Sequence, residues 1–133
     1  MDTKRLAIGT VVGGITMFLV GYLFWNIAFD YWNGAFDAAG VAREPQLLWA
    51  AVLSNVPAAA LVTLAIERGG SSTIGGGGKI GAIVGFLVWS GVDVAFYANT
   101  TIFDLTTIIL DPLLASVHHG IGGGVIAAVL GRR

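Results

Sequence analysis

The sequence has no cysteine and very little charge. Asp, Glu, Lys and Arg make up 11% of its 133 residues, whereas soluble domains carry about 25%. Without cysteine the chain forms no disulfide and no thiolate site, and its redox compartment stays open. No basic stripe is present, so nucleic acid is not an expected partner. Because 56% of the residues are hydrophobic and the mean hydropathy is +0.82, the lipid bilayer is the expected solvent.

Four long apolar segments dominate what the chain does contain. They cover residues 6–29, 46–66, 80–98 and 105–130, each close to or above the roughly 20 residues that cross a bilayer as a helix. Unpaired backbone is not tolerated in lipid, so helices are expected. The sequence predicts an all-α, integral membrane four-helix bundle in one membrane domain, residues 1–133. A cleaved signal peptide is the alternative for the first segment, although that segment exceeds the roughly 7–15 apolar residues of a signal core.

The basic residues predict the orientation of the bundle. Arg43 lies in the loop after the first segment, and all other Lys and Arg residues fall on the opposite side: Lys4, Arg5, Arg68, Lys79, Arg132 and Arg133. The positive-inside rule therefore predicts a multi-pass protein of the cell's inner (plasma) membrane with cytoplasmic N- and C-termini. Aromatic residues gather at the outer ends of the segments, which is typical of an interfacial belt.

Glycines suggest both a linker and a repeat. The glycine-rich stretch 71–79 predicts a slack linker, because Lys79 is followed by Ile80 and no strand precedes it, as a phosphate loop would require. The same offset of 64 residues separates Gly13 from Gly77 and Ser54 from His118. This offset predicts a tandem repeat of two helical hairpins.

Polar residues inside the segments collect in the predicted outer half. Buried ionisable groups cost about 2.5–3.5 kcal/mol on insertion scales, so they usually face the bundle interior or water. The sequence therefore predicts a polar pocket that opens outward and is closed below by Gly and Ala packing. Its expected residues are Asn26, Asn55, Ser90, Asp93, Asp111 and His118.

Helical spacing orients the residues of the last segment. Asp111 and His118 are seven apart and share a face, while His119 is turned about 100° away toward a neighbouring helix or a second subunit. If the third and fourth segments face each other, Asp93 meets Asp111, and the two carboxyls would share a proton. The alternative is that Asp111 caps a helix that starts at Pro112.

The last 50 residues or so resemble a known pattern. Asp93 is followed by an aromatic, Phe103, and by a second acid, Asp111, before a glycine-rich helix. This is similar to an uncharacterised family of small bacterial four-helix membrane proteins whose third helix ends in a pattern like G-x-Y-D-L-T-N. Val92 replaces the Tyr, and residues 94–96 replace L-T-N. The resemblance implies a topology but no activity, with the two acids as the shared polar pair and the histidines as this chain's own addition.

The histidines allow several interpretations. Each neutral imidazole can simply bond a backbone carbonyl or a polar neighbour. A zinc or iron site from His118, Asp93 and Asp111, or one that uses His119 with His118 and Asp111, suits imidazole and carboxylate chemistry. Bis-histidine haem ligation would need a second copy of the chain, and a proton or solute relay is a further alternative. The cofactor is therefore unknown.

These observations favour one function over its rivals. We expect the protein to bind or conduct a small polar solute or ion through the pocket. The alternatives are a structural or accessory subunit of a larger membrane complex, or a metal- or haem-binding membrane protein. No nucleophile–base–orienter set appears, so no enzyme is predicted. Because the glycine faces exceed the needs of one small bundle, a homo-oligomer is expected, most simply a two-fold dimer.

Overall fold

The computed structural model describes residues 2–131, so the contributions of Arg132 and Arg133 to the predicted orientation lie outside the described residues. Within this range the chain is entirely helical, with five α-helices and no strand, which confirms the predicted all-α class. A π-helical segment, Leu23–Ala28, continues the first helix. The α-helices are α1 (Thr3–Tyr22), α2 (Tyr31–Ala38), α3 (Leu48–Gly69), α4 (Ile74–Asn99) and α5 (Leu105–Leu130).

Four helical stretches are long and apolar enough to cross a membrane. They are α1 with its π-helical extension, α3, α4 and α5, so the protein is a multi-pass membrane protein by length and composition. Arg5 joins three of these helices at one end of the bundle. Its guanidinium donates to the Glu67 carboxylate at 2.8 Å and to the Leu130 carbonyl at 3.1 Å. Both ends of the described chain therefore lie at this end, which we call the Arg5 end.

The start of α4 differs from the sequence-based expectation, whereas α5 covers the predicted residues 105–130. α4 begins at Ile74, so most of the glycine-rich stretch is helical and the slack-linker prediction is wrong there. The Thr73 hydroxyl caps this helix by accepting from the Gly76 amide at 3.1 Å, which satisfies a free donor of the first turn.

The start of α5 corrects the alternative placed on Asp111. Asp104 caps the helix, because its carboxylate accepts from the Thr107 amide at 2.8 Å. Asp111 and Pro112 therefore lie inside α5, and both are buried. The interpretation of Asp111 as an interfacial cap is wrong.

Glycine allows α4 and α5 to pack backbone against backbone. A Cβ on Gly85 would come within 2.5 Å of the Ala115 carbonyl oxygen, and one on Gly77 within 2.5 Å of the Gly123 carbonyl oxygen. A Cβ on Gly81 would come closer still to the His119 carbonyl oxygen. α5 is the most buried of the four spans, and it contacts α1, α3 and α4.

A closed apolar core fills the bundle toward the Arg5 end. Gly9 and Gly13 bring α1 onto this core, with Gly13 against Ile126 and Ala59. Small and branched side chains thus interlock without polar groups, apart from the buried Thr63, whose hydroxyl donates to the Ala59 carbonyl. The core consists of Met17, Ala59, Val62, Ile66, Ile126, Ala127 and Leu130.

Candidate functional site

A cavity of about 200 Å³ lies in the opposite half of the bundle, toward the end that holds Asp104. We call it the Asp111 cavity. Residues of α1, the π-helical segment, α2, α3 and α5 form its wall, and α4 contributes Trp89. Its lining is Phe18, Gly21, Tyr22, Trp25, Asn26, Trp32, Asn33, Gln46, Ala51, Ser54, Asn55, Trp89, Asp111 and His118.

The structure brings together four of the six residues predicted for the pocket. Asn26, Asn55, Asp111 and His118 line the Asp111 cavity. Ser90 is half-buried on α4 and does not lie on the wall. Asp93 is fully buried and also off the wall.

Two hydrogen-bond donors hold the Asp111 carboxylate. Its Oδ1 accepts from the Trp25 indole at 2.9 Å and from the Tyr31 hydroxyl at 2.6 Å. Burial, and then the bond to Asp111, raise the pKa of the Tyr31 phenol above its ordinary value, so Tyr31 keeps its proton and acts as the donor. Trp25 lies in the π-helical segment, where an i→i+5 turn changes the direction of a side chain relative to an α-helix.

Asp93 of α4 lies behind Asp111 of α5, as predicted for third and fourth segments that face each other. It is completely buried, and neither of its carboxyl oxygens has a hydrogen-bond donor among the described residues. The Asp111 carboxyl is close enough to interact with it electrostatically. Two ionised carboxylates in this position would repel each other, and a proton held between them would remove that repulsion.

The histidines form a chain of hydrogen bonds inside the bundle. A carbonyl oxygen only accepts, so His118 Nε2–H donates to the Met17 carbonyl at 2.7 Å and His119 Nδ1–H donates to the Ala115 carbonyl at 2.9 Å. His118 Nδ1, 3.2 Å from His119 Nδ1, must then be an acceptor. His118 is thus neutral in this geometry and lies on the cavity wall, whereas His119 packs against α4 at Gly85.

This geometry does not support the predicted metal site. No group of three His, Asp or Glu side chains suited to hold a metal ion occurs within residues 2–131. Both nitrogens of His118 already have partners, and His119 packs against Gly85 and is not on the cavity wall that Asp111 lines. The backbone-bonded interpretation of the histidines describes the observed arrangement.

Aromatic residues cover the cavity at the Asp104 end. The rings of Trp32 and Trp89 meet edge to face with centroids 5.6 Å apart, and Trp32 also packs on the buried Phe103 at 4.6 Å. The Asn33 amide joins α2, which carries Trp32, to the π-helical segment by donating to the Trp25 carbonyl at 2.8 Å. Sequence reasoning missed these residues, because aromatics near segment ends predict an interfacial belt.

Comparisons of the chain with protein-family models, with curated proteins and with solved structures found no match. The resemblance of the last 50 residues to the small four-helix family therefore stays a prediction.

Proposed function

We propose that this protein binds a small polar solute or ion in the Asp111 cavity, which opens to the outer side of the cell's inner membrane. Both termini are then cytoplasmic, as the basic residues predict. The proposed role is not enzymatic. A homo-oligomer and membership of a larger membrane complex stay predictions.

One observation carries this proposal: open space lies beside Asp111 and His118. Polar groups that only join helices need close packing around them, as His119 has against Gly85. Asp111 and His118 instead share a wall with Asn26, Ser54 and Asn55 around about 200 Å³. A space of this size with several polar groups suits water or a small solute.

The packing favours binding over conduction. Met17, Ala59 and Ile126 are fully buried between His118 and the Arg5 end, and Met17 also packs on Gly122. A solute in the cavity therefore meets a closed apolar core. Passage through the bundle would need these helices to separate.

Accessibility of single cysteines tests the proposal, and the chain offers a background without cysteine. Ser54→Cys places a thiol on the cavity wall, and Ser90→Cys places one off the wall at a half-buried position. In intact cells, a membrane-impermeant thiol reagent should label Ser54→Cys much faster than Ser90→Cys.

The side of labelling decides between the outcomes. Reaction of Ser54→Cys only in inside-out vesicles would reverse the proposed orientation. If Ser54→Cys reacts from neither side, the result would contradict a water-accessible cavity and favour the alternative of an accessory subunit.

A further inference from the structure

We propose that the ligand of the Asp111 cavity is a small organic cation, an amine or a quaternary ammonium ion. This inference rests on the proposed binding function and specifies the class of solute.

The charge of the wall is the first reason. Asp111 is the acidic residue of the lining, and the lining contains no Lys or Arg. His118 adds no positive charge, because its Nε2–H donates to the Met17 carbonyl and its Nδ1 accepts from His119. A neighbouring groove that shares Asn26, Asn33 and Gln46 with the cavity carries Asp37 and Glu44 against Arg43. Cavity and groove therefore both favour a cation.

The second acid stabilises this charge arrangement. Asp93 has no donor among the described residues and lies close enough to Asp111 to interact with it electrostatically. If Asp93 holds the shared proton and donates it to Asp111, the pair carries one negative charge. The hydrogen bonds from Trp25 and Tyr31 also stabilise the ionised form of Asp111. A single positive charge in the cavity would complete the pair.

The aromatic wall selects an organic cation over a metal ion. Tyr22, Trp25, Trp32 and Trp89 line the same space as Asp111, and aromatic walls are the recurring way to bind ammonium groups. Trp32 and Trp89 stand nearly perpendicular, at 88°, so they form an aromatic corner. Calcium and magnesium prefer carboxylate-rich oxygen sites, whereas this lining has one carboxylate and otherwise only neutral amide and hydroxyl oxygens.

A matched pair of probes tests the charge preference without any mutation. Choline and 3,3-dimethylbutan-1-ol have the same shape, but only choline is charged. Binding is followed by tryptophan emission of the full-length protein in lipid nanodiscs, since Trp25, Trp32 and Trp89 line the cavity. Choline should bind at least about tenfold more tightly than its neutral isostere, as expected for a charge pair combined with cation–π contacts.

Two variants locate the effect. Asp111→Asn should reduce choline affinity by about tenfold or more and leave the neutral isostere unaffected. Trp89→Leu should reduce it by about 2- to 30-fold, the range of one cation–π contact. Trp49→Phe is the control, because Trp49 is exposed on α3 and not on the wall; it should bind choline as the unaltered protein does.

The outcomes separate this inference from the function on which it rests. Equal binding of the two probes, tighter binding of sodium than of choline, or unchanged choline affinity in Asp111→Asn would each overturn the organic cation. If Ser54→Cys is accessible but choline does not bind, the cavity stands and the ligand class is wrong. If Ser54→Cys does not react, the proposed function fails as well.

Discussion

At the residue scale, helical spacing predicted which faces the two histidines occupy but not which residues they bond. The separation of Asp111 and His118 by two turns predicted their common wall, and the next position predicted a different face for His119. The partners were not predictable, because Met17 is 101 residues away in the chain and the π-helical turn that presents Trp25 has no sequence signal. The prediction that Ser90 lines the pocket was wrong for a related reason. The sequence indicated the depth of Ser90 in the membrane, but it did not indicate which face of α4 points toward the cavity.

The hydrogen bond between the two rings predicts coupled stabilities. His119→Ala loses the bonds to Ala115 and His118, and His118→Ala loses the bonds to Met17 and His119. Each should lower the free energy of unfolding by at least about 0.6 kcal/mol, the average for a hydrogen bond in a membrane protein. The double variant should lose less than the sum, because the bond between the rings is counted twice. Reversible unfolding in mixed micelles measures all three, and strictly additive losses would contradict the bond.

At the element scale, α4 shows tertiary packing overriding local propensity. A run of glycines costs about 1 kcal/mol per residue against Ala in a helix, so residues 74–79 read as a linker. The structure makes them helical because Gly77 and Gly81 allow the backbone of α4 to touch that of α5. The sequence showed small residues at helical spacing, but it did not show that one side of this stretch faces a helix. Gly77 and Gly81 thus pack within one chain, although the glycine faces had suggested contacts between chains. The homo-oligomer stays a prediction.

Two glycines of α4 provide a matched test of this packing. Gly85→Ala would push a Cβ into the Ala115 carbonyl and the His119 ring, whereas Gly91 has open space around it. Gly85→Ala should destabilise the fold by about 1–3 kcal/mol, the usual cost of overpacking. Gly91→Ala should be neutral or stabilising. Thermal unfolding in the same detergent compares them, and equal melting temperatures would argue against the close α4–α5 contact.

At the scale of the whole molecule, the cavity arises where one hairpin opens and the other stays closed. Gly13 packs on Ala59 in the first hairpin, and Gly77 packs on Gly123 in the second, which are equivalent positions under the 64-residue offset. Farther along, Gly85 still contacts α5, but its counterpart Gly21 lines the cavity together with Ala51 and Asn55. The tandem repeat stays a prediction. The number of spans followed from composition, but the opening depends on helix separation, which composition does not encode.

Reporter fusions test the predicted orientation of the whole bundle. A reporter after residue 40, between α2 and α3, should be active outside, and one after residue 72, between α3 and α4, should be active inside. Arg5, Arg68 and Lys79 at the Arg5 end supply the positive-inside signal. An external signal at residue 72 would reverse the orientation, and equal signals at both positions would contradict the four-span topology.

The most direct measurement of the central claim asks whether Ser54 and Asp111 share one water-filled cavity. The reaction rate of Ser54→Cys is measured with a cationic trimethylammonium-ethyl and an anionic sulfonatoethyl methanethiosulfonate, with Asp111 intact and with Asp111→Asn. The account predicts that the ratio of the cationic to the anionic rate exceeds that of a free thiol in solution and falls toward it in Asp111→Asn, because the carboxylate raises the local cation concentration. An inert thiol, or a rate ratio unchanged by Asp111→Asn, would contradict it.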